Sequence, residues 1–308
     1  MNYAKISCIG YTYPTAGRNS SFEEVIRIVT EGLTREIDRV LPDSPDLILF
    51  PENCDICTDY KTAEFHEYKG SRIRDVLAGI CADNNCMIAF PHVRPVGGGR
   101  YFNSIEFLGR DGSTIGIYDK NYVTIGEYQK NILFSKRNDL IDLGFTRAAG
   151  AVCFDLNFDG ILNVYKARKP GLIVFCSSYH GGQRQKEWAY GCRSYFAGAI
   201  ANRQENRILN PLGETVAAST NYYNFVTADV NFDYFITGLG LNRSKLDAAK
   251  RKYGAGIRIF DPGYLSCVLV TSEIDGLSAA EIAAEFELWD WSDYLAHIHQ
   301  LREDHAEE

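Results

Sequence analysis

No apolar run in this sequence approaches the roughly twenty residues that a membrane-spanning helix needs, so no membrane partner is expected. The first residues, MNYAKISCIGYTYP, hold one lysine and a short apolar stretch. They lack the longer apolar segment and small-residue cleavage site of an export signal, and a cytoplasmic protein is expected. Basic residues are outnumbered, 32 Lys and Arg against 40 Asp and Glu, for a net charge of −8, and nowhere do they cluster densely. A phosphate backbone would be repelled, which argues against nucleic acid as a partner. The sequence also lacks a G-x-S-x-G elbow, an H-E-x-x-H pair and a Walker loop. Those absences remove the signatures of α/β-hydrolase serine enzymes, zincins and P-loop proteins. Histidine is scarce, at six, and no histidine stands out as a papain-like partner for a cysteine.

What is present suits a soluble body of enzyme size. The 308 residues are 45% hydrophobic and 23% charged, enough for a substantial core in one large domain or two ordinary ones. Nine cysteines, an odd number without framework spacing, point to reduced thiols. Cys54 and Cys57 form a C-x-x-C pair, which invites zinc or redox chemistry. Zinc needs two further ligands, and no second pair at comparable spacing follows; Cys81 and Cys86 are too far apart to complete the set. No metal and no cofactor are expected. His297 and His299 read as a solvated helix surface. Most of the thiols must be small buried hydrophobes. The question is whether Cys153, in GAVCFDLNFDG, is one of them.

The pattern along the chain alternates. KISCIGYTY reads as a strand, and SSFEEVIRIVTEGLTREIDRVL, residues 20–41, as a helix with Ser21 and Glu24 in capping-box spacing and one apolar stripe through Ile26, Val29, Leu33, Ile37 and Val40. DLILF, residues 46–50, is a continuous apolar run between prolines, as expected of a strand buried on both faces. A helix over 71–84 leads to the strand CMIAFPHV, and VGGGR makes a hairpin loop rather than a phosphate loop, since no GK[ST] follows. STIGIYDK is a strand ending at Lys120. Residues 121–139 show no period and read as a long connection containing Glu127, the kind of loop that carries function. Strands in DLIDLGF and RAAGAVCF, a helix over 157–167, the buried strand GLIVFCSS, a helix over 186–203 and strands in RILN, TVAAS and FVTADVNF complete the reading. Interleaved strands and helices imply an α/β fold, and the hairpins at 90–119 and 206–230 imply mixed sheets. A domain over 1–235 is expected, followed by a C-terminal extension over 236–308.

Three polar residues share a kind of position. Glu52 follows DLILF, Lys120 follows STIGIYD and Cys153 follows GAV, each at a strand end, where open α/β sheets gather reacting groups. A thiol attacks a carbonyl as thiolate, so it needs a base or a nearby cation. Glu52 would take the thiol proton and later activate water. Lys120 would hold the developing oxyanion with the amide N–H of Phe154, while Glu127 positions the base or the leaving ammonia. Asp155 reads as a cap or hydrogen-bonding support beside the nucleophile. Arg184 and Arg193 suit a substrate carboxylate if they face the pocket, and surface ion pairs if they do not. Tyr179, with Tyr101, Tyr122 and Tyr195, belongs either to a pocket wall or to packing.

Here the residues resemble a known family. LILFPEN, YFNSIEFLGRDGSTIGIYDKNYVTIGE and GAVCFDLNF look like the three catalytic stretches of the nitrilase (carbon–nitrogen hydrolase) superfamily, in that order, and the likeness continues through KPGLIVFCSSYHGG to about residue 232. The resemblance implies a four-layer α-β-β-α sandwich and a Glu-Lys-Cys triad at Glu52, Lys120 and Cys153, with Glu127 matching the family's additional glutamate. It also implies a homodimer or larger even assembly, to which the C-terminal extension would contribute. The chain departs from the commonest pattern after the nucleophile stretch, where Asn157 and Asp159-Gly160 stand in place of arginine and proline-glutamate, and in the loop SSYHGGQRQKEW. The expected activity is hydrolysis of a nonpeptide C–N bond in a small amide, through a thioester. N-carbamoyl compounds, nitriles and ligand binding without turnover are the alternatives.

Overall fold

The computed structural model describes residues 1–17, 19–60 and 62–307. One sheet holds β1 (Tyr3–Ile9), β2 (Leu47–Leu49), β3 (Met87–Pro95), β4 (Tyr101–Leu108) and β5 (Thr114–Asp119), in that order, with β12 (Phe225–Asn231) beside β1. Pairs β1–β2 and β2–β3 are parallel and the next two are antiparallel. The second sheet runs β6 (Ile141–Asp142), β7 (Arg147–Val152), β8 (Leu172–Ser177), β9 (Tyr195–Ile200), β10 (Arg207–Leu209) and β11 (Thr215–Ala218). Its centre, β7–β8–β9, is parallel and its edges are antiparallel.

Helices cover the outer face of each sheet. Val25, Val29, Leu33 and Ile37 of α1 (Phe22–Asp38) and Ile73 and Leu77 of α3 (Arg72–Asn84) pack with Ile48 and Ile88 of the first sheet. The Ser21 side chain caps α1 by accepting from Glu24 N at 3.2 Å. Against the second sheet, Ile161 and Tyr165 of α5 (Asp159–Arg168) and Trp188 of α6 (Gln183–Cys192) meet Ile173, Phe175 and Phe196. The inner faces of the sheets meet each other, and Tyr118 of β5 lies over Gly150 of β7. A Cβ at residue 150 would stand 2.4 Å from Tyr118 Cγ. Only a glycine admits that approach. The result is a four-layer α-β-β-α sandwich. The VGGGR turn joining β3 to β4 takes positive φ at Gly97, Gly98 and Gly99 (84°, 63° and 66°).

Three segments differ from the sequence reading. The expected helix over 186–203 is two elements: α6 stops where Arg193 takes φ 56°, and YFAGAI then forms β9. Burial on both faces leaves β9 with no polar alternation, so its short apolar run is locally indistinguishable from helix. The 63–69 segment forms α2 (Ala63–Lys69), capped by Thr62, and the 121–139 connection contains α4 (Ile125–Tyr128), capped by Thr124. Both helices are too short to show a period. The α2 helix is anchored by a buried ion pair: Lys69 Nζ lies 2.7 Å from Asp55 Oδ2 and donates to Val93 O at 2.8 Å.

Residues 1–3 and 230–308 form a separate compact unit. Strands β13 (Tyr234–Gly238), β14 (Ile257–Phe260) and β15 (Cys267–Ser272) pair antiparallel in the order β13–β15–β14. With α7 (Leu239–Tyr253), α8 (Ala279–Glu285) and α9 (Trp291–His305) they build a core of their own through Phe235, Leu246, Val268, Val270 and Leu288. The tail, expected as an extension, is thus a small folded unit. Its apolar residues are scattered along the chain and converge only when β15 pairs on both edges. Among the described residues no helix is long and apolar enough to cross a membrane.

The Gly150–Tyr118 contact yields a prediction. Gly150→Ala places a methyl against the root of the Tyr118 ring, which cannot swing away. We expect a loss of about 1–3 kcal/mol, as for other overpacked cores. Thermal unfolding checks it, and a variant as stable as the parent would show that the sheets can separate locally without cost.

Candidate active site

The β2, β5 and β7 strands end on one rim of the sandwich, and the residues just beyond them converge. Lys120, directly after β5, is buried and places Nζ 2.8 Å from Glu52 Oε1 and 2.8 Å from Glu127 Oε1. Its own amide is held by Asn103 O at 2.8 Å. Glu127 owes its place to α4. Thr124 Oγ1 accepts from Glu127 N at 3.2 Å, while the Glu127 carboxylate accepts from Thr124 N at 2.7 Å. The same carboxylate therefore closes a capping box and pairs with the lysine.

The sequence reading passed over one member of this cluster. Asn103, in the middle of β4 and 1% exposed, donates from a single Nδ2 to Glu52 Oε1 and to Glu127 Oε1, at 2.8 Å each. Two carboxylates thus share one ammonium and one amide. The signal for it was weak, because the same strand, YFNSIEFL, also carries Ser104 and Glu106. Tyr13 is a second omission: its hydroxyl lies 2.6 Å from Glu52 O and 2.9 Å from Ser178 Oγ, joining the loop after β1 to the loop after β8.

Cys153 opens a 3₁₀ turn at the end of β7 with φ 46°, a left-handed value for a side chain with a Cβ. Such strain costs about 1–3 kcal/mol and lifts the residue out of the strand's alternation. Among the described residues it is the one cysteine of nine that is not fully buried. Its thiol is close enough to the Glu52 carboxylate and the Lys120 ammonium to feel both charges. As the second residue of the turn, Phe154 has an N–H with no acceptor inside the turn, beside the thiol. Its ring packs edge-on to Phe158.

Asp155 holds this turn. One oxygen accepts from Asn121 N (3.1 Å) and Tyr122 N (2.7 Å), the other from Val152 N (3.1 Å) and Tyr118 Oη (2.8 Å). The lysine strand and the cysteine strand are tied through one buried carboxyl. Burial raises its pKa to about 7 against these four donors.

The electrostatics divide the cluster cleanly. Burial would raise the Glu52 pKa, but the Lys120 ammonium and the hydrogen bonds it receives outweigh that and hold the carboxyl below its ordinary range. Burial would lower the Lys120 pKa, and the two glutamates reverse that and hold it protonated. Burial, reinforced by the Glu52 charge and only partly offset by Lys120, pushes the Cys153 thiol up to about 12. At neutral pH the resting cluster is a thiol beside an ionised carboxylate and a protonated lysine.

The other residues singled out from sequence fall in different places. Tyr179 stands beside the cysteine turn, its phenol oxygen accepting from Asn157 Nδ2 at 3.2 Å. Arg184 directs its guanidinium at Asp159 (2.6 Å), Glu187 (2.7 Å) and Leu156 O (3.1 Å). Arg193 ends α6, donates to Tyr190 O at 2.6 Å and stacks 3.8 Å over the Tyr190 ring. Neither arginine is brought to the Glu52–Lys120–Cys153 cluster. Asn157 and Asp159, two of the departures noted in the sequence, are the partners of Tyr179 and Arg184. Cys54 donates its S–H to Pro91 O at 3.3 Å inside the core.

Comparison with known proteins accords with this architecture. An amidase of Nesterenkonia sp. AN1 superposes with a TM-score of 0.64 at 14% sequence identity, over 75% of this chain and 91% of that one. Nit3 of Saccharomyces cerevisiae, a member of branch 10 of the nitrilase superfamily, gives 0.60 at 14%, over 74% of this chain and 90% of that one. At such identity the likeness is one of fold. No curated protein matches the chain. Residues 19–221, well over half of the sequence, match the family described as Carbon-nitrogen hydrolase. The chain belongs to that family, within the nitrilase superfamily, and is a carbon–nitrogen hydrolase.

Proposed function

We propose that this hydrolase cleaves the C–N bond of a small amide, with Cys153 as nucleophile, Glu52 as general base and acid, and Lys120 and Glu127 as electrostatic partners. The observation that carries the reading is the geometry of the cluster: the buried Lys120 Nζ lies 2.8 Å from Glu52 Oε1 and 2.8 Å from Glu127 Oε1, with the Cys153 thiol close enough to feel the Glu52 and Lys120 charges. In a glutamate-to-glutamine mutant of the amidase from Nesterenkonia sp. AN1, the acetamide moiety of fluoroacetamide adds covalently at the active-site cysteine. The nucleophilic role is assigned here to Cys153, which in the proposed reaction attacks the amide carbonyl carbon instead.

Glu52 takes the thiol proton as Sγ bonds to the amide carbon, and the carbonyl π pair moves onto oxygen. Lys120 donates to Glu52 Oε1 and to both Glu127 oxygens, and its second contact to Glu127 gives way as charge develops on the substrate oxygen. One donor and the Phe154 N–H stabilise the oxyanion. Collapse breaks the C–N bond, and the Glu52 proton leaves with nitrogen as ammonia or an amine. Water then gives its proton to Glu52 and attacks the thioester; the C–S bond breaks and the thiol recovers its proton. Asn103 is a positioning residue that keeps Glu52 and Glu127 apart by donating to both.

The test is ammonia release from a panel of small amides, N-carbamoyl compounds and nitriles, with intact mass to trap an acyl adduct. We expect Cys153→Ala to abolish both signals. Glu52→Gln should lower turnover by about 10²- to 10⁴-fold, the usual worth of a general base. Its thiolate should nevertheless form at lower pH than in the parent, because a repelling charge is gone. Loss of turnover with no fall in thiol pKa would argue that Glu52 is structural. No release from any compound, with Cys153 inert to iodoacetamide, would favour ligand binding without turnover.

A second expectation concerns Asn103. Removing its N–H donors in Asn103→Ala disfavours the ionised form of Glu52, so the acid limb of the pH–rate profile should move to higher pH. A profile that falls in height without moving would make the residue a packing element only.

The chain is further proposed to form a homodimer or larger even assembly. Leu295, Ile298 and Leu301 are exposed at three-residue intervals on α9, a stripe that a second copy would cover. Light scattering at micromolar concentration should give a mass of at least two chains, and a monomer would refute the assembly.

A further inference from the structure

A hollow of about 440 Å³ lies where the end of α1, the loop after β1, the loop after β9 and the turn before β12 meet. Three arginines line it: Arg35 and Arg39, one turn apart at the end of α1, and Arg203 after β9. Nothing along the chain groups them, and the chain as a whole is acidic, at −8. Folding alone gathers this positive charge. All three are exposed, so their guanidinium groups are open to a ligand.

Arg39 already has its counter-charge. Its Nη1 lies 2.7 Å from Glu36 Oε2 and donates to Asn224 Oδ1 at 2.6 Å. Glu36, the only carboxylate among the described residues of the lining, also accepts from Asn224 Nδ2 at 3.3 Å. Arg35 and Arg203 are different. Glu31, one turn before Arg35, is taken by Arg27 at 3.0 Å, and Glu205, two residues after Arg203, by Arg207. Among the described residues neither Arg35 nor Arg203 has an ion pair or a side-chain hydrogen bond. Two permanent charges therefore line one hollow without compensation, and like charges held together repel.

The backbone contributes to this arrangement. Asn202 and Arg203 both take left-handed conformations, with φ 62° and 60°, which an arginine does not favour by itself. Strain of that kind costs about 1–3 kcal/mol per residue and is characteristic of ligand sites. Thr220 adds a neutral donor. Its Oγ1 accepts from Tyr222 N and Tyr223 N at 3.2 Å each, which leaves the hydroxyl proton to give.

We propose that this hollow binds the phosphate group of a small phosphate monoester, held by Arg35 and Arg203 with Thr220 as a further donor. Two uncompensated guanidinium groups match a dianion. The donors come from three separate segments, so the bound group must offer oxygens in more than one plane. A phosphate presents three terminal oxygens tetrahedrally, whereas a carboxylate presents two in one plane. None of Glu52, Lys120, Glu127 or Cys153 lines the hollow, so the ligand is distinct from the substrate and the proposal stands apart from the assigned reaction.

Calorimetry on the full-length protein at about pH 8, above the second phosphate pKa, tests the proposal with ethyl phosphate and succinate, both dianions there. We expect one saturable ethyl phosphate site per chain, and succinate at least about ten-fold weaker. Arg35→Gln and Arg203→Asn, the latter suited to a positive φ, should each weaken ethyl phosphate about ten-fold, with unchanged unfolding midpoints. The two substitutions lie on different elements, so either one reads the site if the other disturbs folding. Arg27→Gln, on α1 but outside the hollow, should leave the affinity within about two-fold of the parent. Absence of saturable binding, succinate binding as tightly as ethyl phosphate, an affinity untouched at Arg35 and Arg203, or an equal loss at Arg27 through diffuse attraction overturns the proposal.

Discussion

The buried ammonium of Lys120 is the interaction on which the rest of the site depends. It lies 2.8 Å from both Glu52 and Glu127, at a depth where an unpaired charge would be prohibitive. One cation cannot neutralise two carboxylates, and the Asn103 amide supplies the remaining hydrogen bonds. This balance sets the state of the neighbouring thiol. Glu52 stays ionised because of the lysine, and the cysteine stays protonated chiefly because it is buried beside Glu52. In the proposed reaction, a pair arranged this way favours proton transfer at the moment of attack over a standing thiolate.

Such a cluster needs a frame that cannot relax, and the sandwich supplies it at two points. Tyr118 fits against Gly150, where no side chain intervenes, and its hydroxyl reaches across to Asp155. Asp155 in turn accepts from backbone amides on both sides of the site, at Asn121 and Tyr122 and at Val152. Lys120 and Cys153 are each one or two residues from those bonds. The positive φ at Cys153 is tolerable because its turn is held by this carboxyl rather than by its own intrinsic preference.

Much of this was legible in the sequence, because it rests on local patterns. The Ser21 cap and apolar stripe of α1, the glycine turn before β4, the run DLILF and the order of the three polar strand ends each follow from neighbours along the chain. The Thr124-x-x-Glu127 capping box was equally local, though too short to carry a period. Other features were decided only by tertiary structure. YFAGAI became strand rather than helix because β8 and β10 pair with it, which no local periodicity reveals. Arg184 was drawn to Asp159 and Glu187, Asn103 to two glutamates, and the residues after 230 into a core of their own. The physical reason is common to all four. Local sequence sets backbone preference and amphipathic faces, whereas the partner of a polar side chain is chosen by whatever distant residue folding brings within hydrogen-bonding reach.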